Sequence, residues 1–178
     1  MSGSQSGDTY TLYKNGISTG DSLLGTGSSL TFNHVTAEGT YTIRDGSTLM
    51  NGNAVVTINN VTAGTIAGDQ TICSGSSTAA FSSNADGAGN GTITYRWEIN
   101  TNMTTPSWST ISGATGNIYN PGTLTADAQY RRVTINTLNN VACEAISNVL
   151  TVTVNNVTAG TIAGDQTICS GSSTAAFS

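Results

Sequence analysis

A Ser–His–Asp or Cys–His relay needs an imidazole beside its nucleophile. This 178-residue sequence has one histidine, His34, and none between residues 61 and 157. That stretch therefore builds neither relay by itself, nor a histidine metal site. Its carboxylates are Asp69, Asp86, Glu98, Asp127 and Glu144. Glycosidase chemistry needs two of them face to face. Nothing in their spacing pairs two, so they read as solvated loop or edge positions. "NADGAGNG" at 84–91 gathers Asn84, Asp86 and Asn90 on a Gly-rich loop whose oxygens could take calcium. It lacks the full ligand spacing and the bidentate glutamate of a calcium loop, and a polar hairpin turn is the plainer reading. No catalysis is expected, and no cofactor beyond that calcium candidate.

The remaining reactive groups are the thiols of Cys73, Cys143 and Cys169, an odd number. A repeat accounts for the odd one. "NNVTAGTIAGDQTICSGSSTAAFS" at 59–82 recurs letter for letter at 155–178, an offset of 96 residues (Asn59 against Asn155). Cys169 is thus the counterpart of Cys73, and Cys73 is expected to pair with Cys143 inside one repeat. Such a bridge would close a loop of about 70 residues and stabilise by roughly 4 kcal/mol in the chain-entropy model. It would also imply export to an oxidising compartment.

The offset suits one immunoglobulin-sized β-sandwich rather than a solenoid repeat. It divides the chain into the end of one unit (1–60), a complete unit (61–157) and the first strands of a third (158–178). "AVVTINN" before the first copy corresponds to "LTVTVNN" before the second, each a closing strand. Strands of period two recur between turn signals. "STAAFS" points Ala79 and Phe81 inward, and "TITYRWEIN" places Ile93, Tyr95, Trp97 and Ile99 on one face. "AQYRRVTINT" and "AISNVLTVTV" form the last hairpin. Leu124 precedes Tyr130 by six residues, and Val35 precedes Tyr41 likewise, the spacing of a tyrosine corner. Phe81, Trp97, Tyr130 and Tyr41 are the expected core aromatics. Alternation from Tyr130 also sends Arg132 inward, so either a bulge at Arg131–Arg132 or an aromatic stack with a carboxylate partner is required. The fold class is all-β: tandem immunoglobulin-like β-sandwich repeats.

Only 8% of residues are charged, the net charge is −5 and no basic cluster occurs, which argues against nucleic acid. No apolar run reaches the roughly 20 residues of a membrane span, and the first ten residues lack the pattern of a signal peptide. Any export signal would lie outside this sequence, which reads as a piece of something longer.

"GTIAGDQTICSGS", "TYRWEINTN", "SWSTISGATGNIYNPGTLTADAQYRRVTI" and "CEAISNVLTVTV" resemble the Ig-like or PKD-like repeats of giant Bacteroidota cell-surface adhesins. The kind they are most similar to is the SprB-type gliding-motility adhesin, a type IX secretion substrate. The resemblance is closest over 61–178 and looser over 8–60. It implies an extracellular, non-enzymatic filament or stalk on the cell surface. Its partners would be neighbouring repeats or end-to-end copies, surface polysaccharide, and the secretion or motility machinery. Asp21-Ser22-Leu23 resembles the short O-glycosylation motif of these bacteria, with Ser22 as acceptor. The alternative is a carbohydrate- or ligand-binding module of a secreted multidomain hydrolase, which would need Trp108, Tyr119 and Tyr95 as coplanar exposed rings. Residues 158–178 cannot bury Ile162, Ile168 and Phe177 alone. A neighbouring sheet is expected to cover them, and Phe177 in solvent would count against that.

Overall fold

Asn15 and Gly16 both take positive φ (50° and 82°), the two-residue turn whose twist matches paired antiparallel strands. They join the first hairpin of a computed structural model that describes residues 1–33 and 35–177; His34 lies outside the described residues. The chain divides into two units, 1–60 and 61–178. In the first, β1 (Thr9–Lys14) pairs with β2 (Ile17–Leu24) and with β3 (Gly39–Asp45), which also carries β4 (Thr48–Leu49) and β5 (Ala54–Val56). Tyr10, Leu12, Leu30 and Tyr41 are its buried apolar residues. The Tyr41 hydroxyl donates to the Ala37 carbonyl at 2.8 Å, a tyrosine-corner bond across four residues.

The second unit is a sandwich. One layer is a five-stranded sheet in the order β13 (Ser109–Thr110), β12 (Thr92–Asn100), β15 (Ala128–Leu138), β16 (Val141–Asn155) and β8 (Gln70–Cys73). β8 lies parallel to β16, while the other pairs are antiparallel. The opposite layer is made of short ladders. β6 (Val61–Thr62) pairs with β11 (Ala88–Gly89), β7 (Thr65–Ala67) with β10 (Ser82–Ala85), and β9 (Ser76–Ser77) with β14 (Thr123–Leu124).

Between the layers Ile66, Phe81, Trp97, Ala128, Tyr130, Leu150 and Val152 form one apolar cluster. Alternation explains the β16 members: Leu150, Val152 and Val154 share a face, and all are buried. Trp97 is fully buried and stacks on Phe81 at 5.8 Å between ring centroids. The loop after β13 closes over it, because the indole N–H donates to the Gly116 carbonyl at 2.9 Å. Strand alternation fails at "STAAFS". Ala79 is exposed and Thr78 is buried instead. The cause is local: Gln70 clamps both the amide and the carbonyl of Ala79 (2.8 and 3.1 Å), which turns the chain out of the layer before Phe81.

The second copy of the repeated segment behaves otherwise. Residues 156–177 contain no strand, and Ile162, Ile168 and Phe177 are 79%, 47% and 57% exposed. Phe177 thus lies in solvent, which counts against the expectation that a neighbouring sheet covers it.

Removing the central indole should be severe. Trp97→Ala is expected to destabilise the second unit by about 3–5 kcal/mol, the usual result of truncating a fully buried large aromatic. Denaturant unfolding followed by the fluorescence of Trp108 would check it; a loss below about 1 kcal/mol would contradict this core.

Candidate functional site

Arg132 is the buried charge that the strand pattern requires; the structure answers it with the expected aromatic stack, puts the bulge on the neighbouring strand β16 and leaves its Nε without a hydrogen-bond partner. The pairing of β15 with β16 shifts between Arg131 and Val133, so Ser147 and Asn148 stand opposite Arg132 alone. The Arg132 amide is taken up by the Ser147 hydroxyl at 2.9 Å. Its guanidinium lies 4.8 Å over the Tyr95 ring and is fully buried. Four oxygens accept from it: Ser83 Oγ (2.8 Å) and the carbonyls of Asn117 (2.8 Å), Ala85 (3.0 Å) and Ala63 (3.3 Å). Asp86, at 3.9 Å, is the nearest carboxylate. These loops approach closely because two glycines stand in them. A Cβ on Gly64, which has φ of +68°, would fall 2.2 Å from the Ala85 carbonyl, and one on Gly87 would fall 2.1 Å from the Thr134 hydroxyl.

The same contacts engage part of the calcium candidate. Asp86 Oδ1 accepts from Ser83 (2.5 Å) and Asn117 (3.3 Å), and Asn90 Oδ1 accepts from Asn136 (3.1 Å). The Ala85 carbonyl is given to the Arg132 guanidinium, while Asn84 is exposed. Among the described residues no group of three or more His, Cys, Asp or Glu could hold a metal ion.

The other carboxylates are structural as well, and Glu98 corrects the sequence reading. It is 7% exposed rather than solvated. It bridges Arg96 (3.0 Å) and Arg131 (2.7 Å). Arg96 continues to Glu144 at 2.8 Å, and Arg131 lies 4.1 Å over the Trp108 ring. Asp69 and Asp127 accept the amides of Thr151 and Val154 at 2.6 and 2.7 Å. The rings proposed for a glycan platform are occupied too. Arg131 covers Trp108, Arg132 covers Tyr95, and Tyr119 is packed among Phe81, Trp97 and Tyr130.

The disulfide expectation is overturned. Cys73 and Cys143 are both free thiols. Cys73 is in register with Asn155 at one end of β16, and Cys143 lies 12 residues earlier on that strand. At about 3.3 Å per residue their levels differ by roughly 40 Å, far beyond the Cα separation of about 7 Å that a bridge spans. Sequence distance gave no hint of this, because the parallel β8–β16 pairing was not foreseen. Tyr130 also departs from the pattern of Tyr41: among the described residues its hydroxyl makes no corner bond, and its ring joins the aromatic cluster instead. Ser22 is exposed on β2, its hydroxyl 2.9 Å from that of Thr11. Sequence reasoning missed Asn148, whose amide group bonds the Ile66 amide and carbonyl (2.9 and 2.8 Å) and ties the two layers together.

Titration should report these contacts. Hydrogen bonds from Ser83 and Asn117, then the Arg132 charge, hold Asp86 below its ordinary 3.8, and Arg96 holds Glu144 below 4.5. Their contribution is complete above the ordinary carboxylate values and is lost as pH falls through the lowered ones. Burial pushes the Tyr130 phenol up to about 12 from 10.0, so its contribution is complete below 10 and lost as pH climbs from there to about 12. A melting-temperature profile should fall at both limits, and Tyr130→Phe should flatten the alkaline fall. An unchanged alkaline fall in that variant would contradict the assignment.

No curated protein matches the sequence. Among solved structures, the three N-terminal domains of the bacteriophage RB49 Highly Immunogenic Outer Capsid protein (Hoc) are similar at 12% identity and a TM-score of 0.45. The match covers 84% of this chain, which spans 57% of that one. The family described as a domain of unknown function (DUF8696) matches residues 62–156, more than half of the sequence. The chain belongs to that family.

Proposed function

We propose that this chain is a structural segment of a long extracellular cell-surface adhesin or filament, in which repeated sandwiches supply reach and the segment itself performs no catalysis. The observation that carries this reading is the placement of the two ends of the second unit. Its first strand, β6, enters beside the far end of β15: it pairs with β11, and the Gly91 amide just beyond β11 donates to Asn136 Oδ1 at 2.9 Å. Its last strand leaves at Asn155, about 40 Å away along β16 by strand rise. A module entered at one end and left at the other lengthens a chain each time it is repeated. The letter-for-letter second copy at a period of 96 supports such repetition, since a spacer has no recognition surface to diversify.

The sequence resemblance supports the finer reading: a gliding-motility adhesin of the SprB type, carried to the surface by type IX secretion. Surface polysaccharide or the motility machinery would then be its partners, and Ser22, exposed on its strand, its glycan acceptor. The hydrolase-module reading draws no support from the rings, which are covered by arginines or packed in the core.

Reach is measurable. Small-angle scattering would compare the 178-residue chain with the same chain extended by a copy of residues 83–156, which completes the second repeat. The maximum dimension should grow by roughly 40 Å, the length of one strand-spanning unit. Growth of less than about 15 Å would mean that repeats fold back on one another, against a spacer role.

A further inference from the structure

A complete repeat carries two cysteines that cannot meet within it, yet the fold brings each to a different junction. Cys73 ends β8 beside Asn155, where the chain leaves the unit, and the next amide, Ser74, donates to the Asn155 carbonyl at 3.0 Å. Cys143 is in register with Asn136 at the other end of β16. That is the end at which the chain comes in. The Gly91 amide donates to Asn136 Oδ1 at 2.9 Å, and β11, just before Gly91, pairs with the incoming Val61–Thr62.

The period of 96 makes Val157 the counterpart of Val61. Only Asn156 separates it from Asn155, a span of at most about 7 Å. The outgoing end of one repeat, with its Cys73, therefore meets the incoming end of the next, with that repeat's counterpart of Cys143. Neither thiol is consumed by the interior: Cys73 is exposed and Cys143 half-buried. The duplicated segment carries the outgoing cysteine again as Cys169, so each junction would be furnished alike.

We propose that Cys73 of one repeat forms a disulfide with the Cys143 counterpart of the following repeat, a staple across the junction rather than within a sandwich. This inference rests on the tandem-array reading. The two thiols give up two electrons and two protons, and a disulfide-bearing oxidant takes them and leaves as two thiols. The bond would fix the angle between consecutive units and transmit tension from one to the next without passing it through either core.

The test uses the extended chain with two complete repeats. One form keeps Cys73 and the added counterpart of Cys143, with Cys143→Ser and Cys169→Ser. The other keeps Cys143 and Cys169, with Cys73→Ser and the added counterpart also replaced by serine. Both are held in glutathione disulfide, and protein thiols are counted by maleimide labelling and mass spectrometry. The glutathione adducts, recognised by mass, are scored separately from protein disulfides. The first form should make an internal disulfide at least roughly tenfold more completely than the second, because only its thiols share a junction. Equal oxidation of the two forms, or an unlinked first form, overturns the staple. Scattering of the reduced chain reads the array independently: an extended chain with unlinked thiols sinks the staple alone, and a folded-back chain sinks the array reading itself.

Discussion

A guanidinium without solvent must be answered by protein, and in the second unit that demand organises two layers at once. Arg132 projects from the middle of β15 into the space between them, and its acceptors come from three separate segments: Ala63, Ser83 with Ala85, and Asn117. None of these can drift without leaving a buried donor or carbonyl unpaired, at about 1–3 kcal/mol for each group. The bulge at Ser147–Asn148, the Tyr95 stack and the glycines at 64 and 87 all serve this one placement. The aromatic cluster beneath it is apolar and non-directional. Arg132 supplies the direction, fixing which loops cross which strands.

Much of this was legible in the sequence, and the parts that were not share a cause. Alternation placed Trp97 on one face of its strand, and parity alone exposed the conflict at Arg132. What alternation could not see was pairing between distant segments. Parallel addition of β8 to β16 carries Cys73 to the end opposite Cys143, and no local pattern encodes that. Glu98 reads as solvated on its strand, yet two arginines converge on it from β12 and β15 and bury it. The loop at 84–91 displays calcium-type oxygens, and several of them accept from Ser83, Asn117, Asn136 and Arg132.

The duplicated segment separates local from tertiary instruction within one molecule. Gln166 bonds the amide and carbonyl of Ala175 at 2.6 and 3.0 Å, as Gln70 does with Ala79. That turn forms wherever the sequence occurs. The flanking strands do not. Ile66 and Phe81 are buried against β12, β15 and β16, whereas their counterparts Ile162 and Phe177 have no such sheet and stay exposed. Identical residues thus supply the turns, and the later part of the repeat supplies the strands' partners.

The most direct test of the Arg132 account is the stability of Arg132→Lys in the full chain, by denaturant unfolding followed through tryptophan fluorescence. Both tryptophans, Trp97 and Trp108, lie in the second unit, so the signal reports that unit alone. A lysine keeps the charge but offers three donors from a single point and cannot reach acceptors on three segments. The account predicts a loss of about 3–5 kcal/mol. A variant within about 1 kcal/mol of the parent would show that the charge, or mere filling of the space, suffices, and would contradict the claim that the fork of hydrogen bonds holds the layers together.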